Sequence, residues 1–371
     1  MPAKLTNLTI CGFKTIRELR DFQLRPMNVL IGANGAGKSN FLSFFRLLNR
    51  MLASPSDLQN YVAVSGGAHA LLHSGLETAR EVEASVTVEA PEEEIEYRFA
   101  LGQAAADTLV FAHEGLGSRR TKGLYGEEQS EFGTGNREAQ LVDLADMGDP
   151  RPTAVCSFFR RFVVHQFHNT SQTARIRQKW RMADNRSLKE DAGNLAPVLH
   201  RLHEDAPAYY RRIIETLRLV IPCFADFDLR EDHGSMLLQW RERGSDMLFD
   251  VSQASDGSLR TMALVTLLKQ PEADLPAILI LDEPELGLHP YAIDIIAGLL
   301  RAASNHTQVI VATQSAAFVN CFDPEDVVVV NRTGMESTFE RQSTDHLHEW
   351  LDDYSLAELW EKNVIGGRPG G

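Results

Sequence analysis

The sequence predicts an α/β fold with a mixed, largely parallel core sheet, an antiparallel β layer and a helical lid. Three observations predict it. Helical and strand-like patterns alternate from 258 to 320. A strand-like run, Met27 to Ile31, leads straight into a glycine-rich loop and then a helical pattern. Short alternating apolar runs cluster between 80 and 113, separated by acidic or Gly/Ala-containing breaks.

Taken in order, Leu5, Leu8 and Ile10 mark a first strand, and Phe41, Phe44, Phe45 and Leu48 lie at helical spacing after the glycine-rich loop. Strands are predicted over Val82 to Val88, Ile95 to Leu101 and Leu109 to Phe111. Residues 114–152 are rich in Gly, Glu, Asp and Pro with little periodicity, and read as an exposed loop insertion. Two helical faces follow in 194–222, the second ended by Pro222, then short strands near 224–230 and 236–240. Helix 259–269, buried strand 277–282, helix 290–303 and buried strand 308–313 come next. Near the C-terminus, Ser355 with Glu358 reads as a capping box. No internal repeat, heptad array or low-complexity segment interrupts the chain.

The 371 residues carry a net charge of −14, which argues against coating nucleic acid or an anionic membrane by bulk charge. At 43% hydrophobic and 24% charged the composition is globular rather than disordered. No apolar run approaches the roughly 18 residues of a membrane span, and the N-terminus lacks an uninterrupted apolar core, so a cytoplasmic protein is expected. Cys11, Cys156, Cys223 and Cys321 stand apart, which fits buried free thiols rather than disulfides or zinc.

Residues 32–39, GANGAGKS, satisfy G-x-x-x-x-G-K-[ST] between a predicted strand and a predicted helix. Gly32, Gly35 and Gly37, with Asn34 between them, let backbone amides turn toward a phosphate chain, and the following helix adds partial positive charge. Lys38 would reach the β/γ-phosphates of ATP and Ser39 would ligate Mg2+. AILILDEPELGLHP at 277–290 supplies a second part. Five apolar residues end in Asp282 and Glu283 at the carboxyl edge of a strand, where nucleotides bind in such sheets. Asp282 suits a water-bridged Mg2+ contact, and Glu283 suits a base for the attacking water. SDGSLR at 255–260 opens a helix, so Ser255, Gly257 and Ser258 offer a second anion site. Two phosphate sites separated by a helix and a strand cannot readily meet on one nucleotide in one chain. The spacing therefore points to a homodimer sandwiching two ATPs.

With these residues in view, the chain resembles a compact ABC-type ATPase of the RecF/SMC class, allied to OLD-family ATPases but lacking their nuclease domain. Gly12-Phe13-Lys14, Asn40 after the P-loop serine, SDGSLR, DEPELGLHP and the C-terminal WLDDYSLAELWEKN carry the likeness; residues 50–150 carry none. The resemblance implies an ATPase head that closes as a dimer on ATP and opens on hydrolysis. It implies an N-terminal lobe over 1–170, a helical lid over 171–260 ending in the signature, a C-terminal lobe with Walker B and switch strand over 261–345, and a helical tail over 346–371. It further implies work in DNA repair, recombination or anti-phage defence, with DNA or a separately encoded nuclease. An ATP-controlled protein-interaction scaffold that never contacts DNA is the alternative; a transporter motor fits poorly. Where the family often has a switch histidine, this chain has Gln314, which reads as a γ-phosphate sensor or a polar strand end. Gln166 reads as a sensor of Mg2+ and water or as an ordinary strand-end residue.

Residues 175–189 hold six basic residues and one acid, with Trp180 among them. Arg175, Arg177, Lys179 and Arg181 would serve phosphate contact, a solvated face or a subunit patch. His165 and His168 lack a third metal ligand, and Asp226-x-Asp228 lacks the acidic cluster of a nuclease.

Overall fold

The computed structural model describes residues 3–54, 57–73, 80–120 and 128–368. The chain forms two compact units, residues 1–162 with 324–371, and residues 163–323.

The first unit begins with β1 (Lys4–Phe13), β2 (Ile16–Gln23) and β3 (Met27–Ile31), followed by α1 (Lys38–Ala53) and α2 (Asp57–Val64). It continues through β4 (Glu81–Glu89), β5 (Glu93–Ala104), β6 (Thr108–Arg120), β7 (Glu128–Glu131), α3 (Gln140–Asp146) and α4 (Pro150–Arg160). Strands order as β2-β1-β4-β5-β6-β7, every pair antiparallel. Along β4 exposed and buried positions alternate, as expected of a sheet with one covered face. That face meets α1: Phe44 stacks on Phe99 and meets Phe13 edge-on. Each such ring taken fully out of water contributes roughly 2–3 kcal/mol.

The second unit holds β8 (Val163–His165), β9 (Trp180–Arg181), α5 (Leu195–Asp205), α6 (Pro207–Val220), β10 (Phe224–Phe227), β11 (Ser235–Met236), β12 (Gln239–Glu242) and β13 (Leu248–Asp250). Then come α7 (Asp256–Lys269), β14 (Ile278–Asp282), α8 (Pro290–Ala303), β15 (Gln308–Thr313) and α9 (Ala316–Val319). Strand β14 lies between β15 and β8, parallel to both. Its ILILD run is buried except at the final aspartate, and β15 is buried throughout. Continuous apolar runs of this kind make strands covered on both faces. The chain returns to the first unit with β16 (Val327–Thr333), β17 (Glu336–Arg341), α10 (Thr344–Leu351) and α11 (Leu356–Glu361). There β3 runs parallel to β16, which pairs antiparallel with β17.

Three expectations need correction. The 114–152 stretch is not a loop insertion: β6 runs on to Arg120, and β7, α3 and the start of α4 follow, with residues 121–127 outside the described set. The run escaped notice because its buried positions include Glu114, Gly115 and Gly117, which carry no apolar signal. The helical lid expected over 171–260 holds, besides α5, α6 and the short strands expected near 224–230 and 236–240, two strands the sequence did not mark, β9 and β13. Among the four free thiols only Cys156 is buried, and Cys223 is exposed.

Candidate functional site

In the first unit β3 is buried along its whole length and delivers the chain to the 32–39 loop. Gly37 precedes α1 at φ 118°, where a side chain is strained, and a Cβ there would fall 2.1 Å from the Ser337 hydroxyl oxygen. No side chain caps α1 at this end, which suits amides meant for an anion. The loop is held from behind. Ser337 donates to the Ala36 carbonyl at 2.6 Å, and Arg332 donates to the Gly35 carbonyl at 3.0 Å. Lys38, almost buried, turns its ammonium onto the carbonyls of Gly32 (2.6 Å) and Ala33 (3.0 Å), while Asn34, Gly35 and Ser39 are exposed. Asn40 donates to the Thr15 hydroxyl at 2.8 Å, tying α1 to the turn after Gly12-Phe13-Lys14. An exposed loop with an uncapped helix start, a lysine and a serine fits a Mg-nucleotide by the chemistry of its donors.

In the second unit Asp282 and Glu283 stand at the carboxyl end of β14, as expected. Glu283 adopts φ 43°, unusual for a residue with a side chain, and its amide donates to the Ala312 carbonyl at 2.7 Å. Each of the two carboxylates meets a glutamine. Gln166, just past β8, donates its Nε2 to Asp282 Oδ2 at 3.0 Å, and Gln314, just past β15, donates its Nε2 to Glu283 Oε1. The parallel order β8-β14-β15 brings these three strand ends together. Glu285, which sequence reasoning passed over, is buried behind them and accepts a hydrogen bond from the Thr313 hydroxyl. Burial, opposed by that hydrogen bond, pushes its carboxyl up to about 7. The available signal was a third acid, three residues after Asp282 and two after Glu283, in a turn leading back into apolar chain.

The signature segment also lies in the second unit. Ser255 caps α7, its hydroxyl accepting from the Ser258 amide at 3.0 Å and meeting the Ser258 hydroxyl at 2.8 Å. The Ser258 amide is thus engaged by the cap in this structure. Gly257 lies so close to the 283–289 turn that a Cβ would fall 2.6 Å from the Gly287 carbonyl oxygen. Arg260 donates to the carbonyls of Phe167 (3.0 Å), His168 (2.9 Å) and Leu286 (2.8 Å).

The basic segment is largely engaged within the chain. Arg177 is 8% exposed and spends its guanidinium on backbone carbonyls and Asp256; Lys179 pairs with Asp232; Arg175 lies over the Trp180 ring. Arg177 therefore does not serve as a phosphate contact, whereas Arg175, Arg181 and Arg186 are exposed. Asp226 accepts from the Tyr210 hydroxyl, and Asp228 pairs with Arg230 and Arg241. Burial holds His165 down to about 4, so its ring is neutral. Among the described residues no group of three or more His, Cys, Asp or Glu is placed to hold a metal ion. No helix among them is long and apolar enough to cross a membrane.

A family model described as "AAA domain, putative AbiEii toxin, Type IV TA system" matches residues 27–320. Among solved structures, the chain is similar to an SMC head bound to the C-winged-helix domain of ScpA, with a TM-score of 0.61 at 14% identity, over 93% of this chain and 99% of that one. It is similar to a Pyrococcus furiosus Smc head with an extended coiled coil bound to the C-terminal domain of ScpA (TM-score 0.57, 14% identity, 95% and 99% covered). It is also similar to an SMC head domain from Thermotoga maritima (TM-score 0.50, 16% identity, 92% and 99% covered). No curated protein matches the sequence. At these identities the likeness speaks for the fold, an ABC-type P-loop ATPase head of the SMC class.

Proposed function

Because the chain belongs to the AAA-domain family whose model spans its residues 27–320, we propose that it binds and hydrolyses ATP as a homodimer that closes on the nucleotide. The observation that carries this reading is the pairing of Asp282 with Gln166 and of Glu283 with Gln314 at the carboxyl end of β14. In the reading, amides of the 32–39 loop and of Asn40 cradle the triphosphate and Lys38 exchanges its two carbonyls for phosphate oxygens. Ser39 would ligate Mg2+, which when bound would draw charge from the β- and γ-phosphates, and Asp282 would be a water-bridged Mg2+ contact. Glu283 takes the proton of the attacking water. Gln314 cannot carry a proton, so its part is to hold the Glu283 carboxylate in place and to donate to the γ-phosphate. Gln166 orients Asp282 and the water. Ser255 and Gly257 of one chain would close over the nucleotide held by the other.

The test is the mass of Glu283→Gln with and without ATP. A positioned base contributes roughly 10²- to 10⁴-fold, so the variant should bind ATP, turn over that much more slowly and accumulate as a dimer. Lys38→Ala should bind no nucleotide and remain a monomer. A Glu283→Gln chain that stays monomeric with ATP, at concentrations where the wild type turns over, would overturn the dimer mechanism.

The biological reading is defence or DNA maintenance in the cytoplasm, acting with DNA or with a separately encoded nuclease. The family description, a type IV toxin–antitoxin system, supports the defence side. The scaffold alternative gains support from the internal engagement of Arg177 and Lys179, which leaves fewer cations for a phosphate backbone. Stimulation of hydrolysis by DNA separates the two.

A further inference from the structure

Arg177 lies 7 residues from one of its acceptors, Thr170, and 74 to 79 residues from the others. Its Nε donates to the Thr170 carbonyl at 2.7 Å, one terminal nitrogen donates to the Val251 carbonyl, and the other donates to the Ala254 carbonyl at 3.2 Å and to Asp256 Oδ1 at 2.9 Å. One nearly buried guanidinium thus joins the strand-exit segment 166–177 to the residues on either side of Ser255. The opposite end of that segment is tied as well, since Arg260 of α7 holds the carbonyls of Phe167 and His168, next to the Gln166 that bonds Asp282. Segment 166–177 is therefore fastened at one end to the carboxylate cluster and at the other to the start of the signature helix. Hydrogen bonds from Thr170 and Arg177 hold the Asp256 carboxyl below the usual carboxylate range, so it stays ionised at neutral pH and keeps its pairing with the guanidinium. Only a guanidinium presents five donors in a rigid fork; a lysine offers three from a point and cannot span these acceptors at once.

We infer that Arg177 is a positioning residue for the signature: it fixes Ser255 and the first turn of α7 in the attitude in which they meet the nucleotide of a second chain, and couples that attitude to Gln166. This rests on the proposed ATP-closed dimer. It predicts a division of effects, because the P-loop belongs to the other unit of the same chain.

The experiment compares wild type, Arg177→Ala, Arg177→Lys and Asp256→Ala for fluorescent-ATP affinity and for kcat at saturating ATP. Arg177→Ala should keep nucleotide affinity within about twofold while kcat falls about 10- to 100-fold, the scale of a misplaced contact, and Arg177→Lys should fall between it and wild type. Mixing Arg177→Ala with Lys38→Ala should restore part of the activity, since the mixed dimer has one site with an intact P-loop and the other chain's intact signature. Mixing it with Ser255→Arg should restore none. An Arg177→Ala chain with unchanged kcat overturns the inference. So does failure of the Lys38→Ala mixture when Lys38→Ala with Ser255→Arg recovers, because Arg177 would then serve its own chain's P-loop. If Arg177→Ala does not fold, Asp256→Ala decides: it removes one exposed acceptor, and kcat should drop about threefold or more, with no drop overturning the inference. A wild-type chain without ATP turnover fails the functional reading itself, and this inference with it.

Discussion

Glu283 and Glu285 lie two residues apart and meet opposite surroundings. Glu283 is half-exposed and accepts from Gln314, while Glu285 is buried and accepts from the Thr313 hydroxyl. With its folded value raised to about 7 from 4.5, Glu285 prefers to be neutral in the native state. Below 4.5 the acid is protonated folded and unfolded, so nothing is lost. Between 4.5 and 7 only the unfolded chain ionises, and stability falls as pH rises; above 7 the whole penalty stands, about 3 kcal/mol from this group. Glu285→Gln, which mimics the protonated acid, should melt close to wild type at pH 4.5 and several degrees above it at pH 8. Thermal melts at the two values check this, and an equal difference at both would assign the effect to packing.

At the scale of elements, a single side chain decides where α3 begins. Glu114 of β6 is fully buried and accepts from the Tyr97 hydroxyl (2.9 Å) and from the amides of Gln140 (2.9 Å) and Leu141 (3.1 Å). The carboxylate does for α3 what an N-cap does, since Ala139 supplies no side-chain cap. Burial raises its carboxyl, and the three donors oppose that rise. Glu114→Ala leaves those donors without their acceptor and should cost about 3 kcal/mol or more. Denaturant unfolding measures it, and a loss under about 1 kcal/mol would show that water replaces the carboxylate. The C-terminal capping box is local by contrast: Ser355 and Glu358 bond each other's backbone amides across one turn, and the spacing alone announces it.

At the scale of the molecule, the proposed nucleic-acid contact would rest on Arg175, Arg181 and Arg186, the exposed cations left in 175–189 once Arg177, Lys179 and Lys189 are paired. If these three meet phosphates of duplex DNA, replacing all of them with glutamine should flatten the logarithmic salt slope of binding by about 2.7. An unchanged slope, or no DNA affinity in the wild type, favours the scaffold reading. The sequence by itself determined the strand, loop and helix around Lys38, the buried runs of β14 and β15, and the placing of Asp282 and Glu283 at a strand's end, because each is written in neighbouring residues through apolar periodicity and glycine spacing. Only the tertiary structure decided that Gln166 and Gln314 each take one carboxylate, that Glu285 is buried, that Glu114 starts a helix, and that Arg177 clasps the signature segment. Those outcomes depend on acceptors far along the chain, 74 residues from Arg177 to Val251 and 116 from Gln166 to Asp282. The physical reason is that a polar side chain is fixed by whichever partner burial brings within hydrogen-bond reach, and a count of charges along the sequence does not contain that partner.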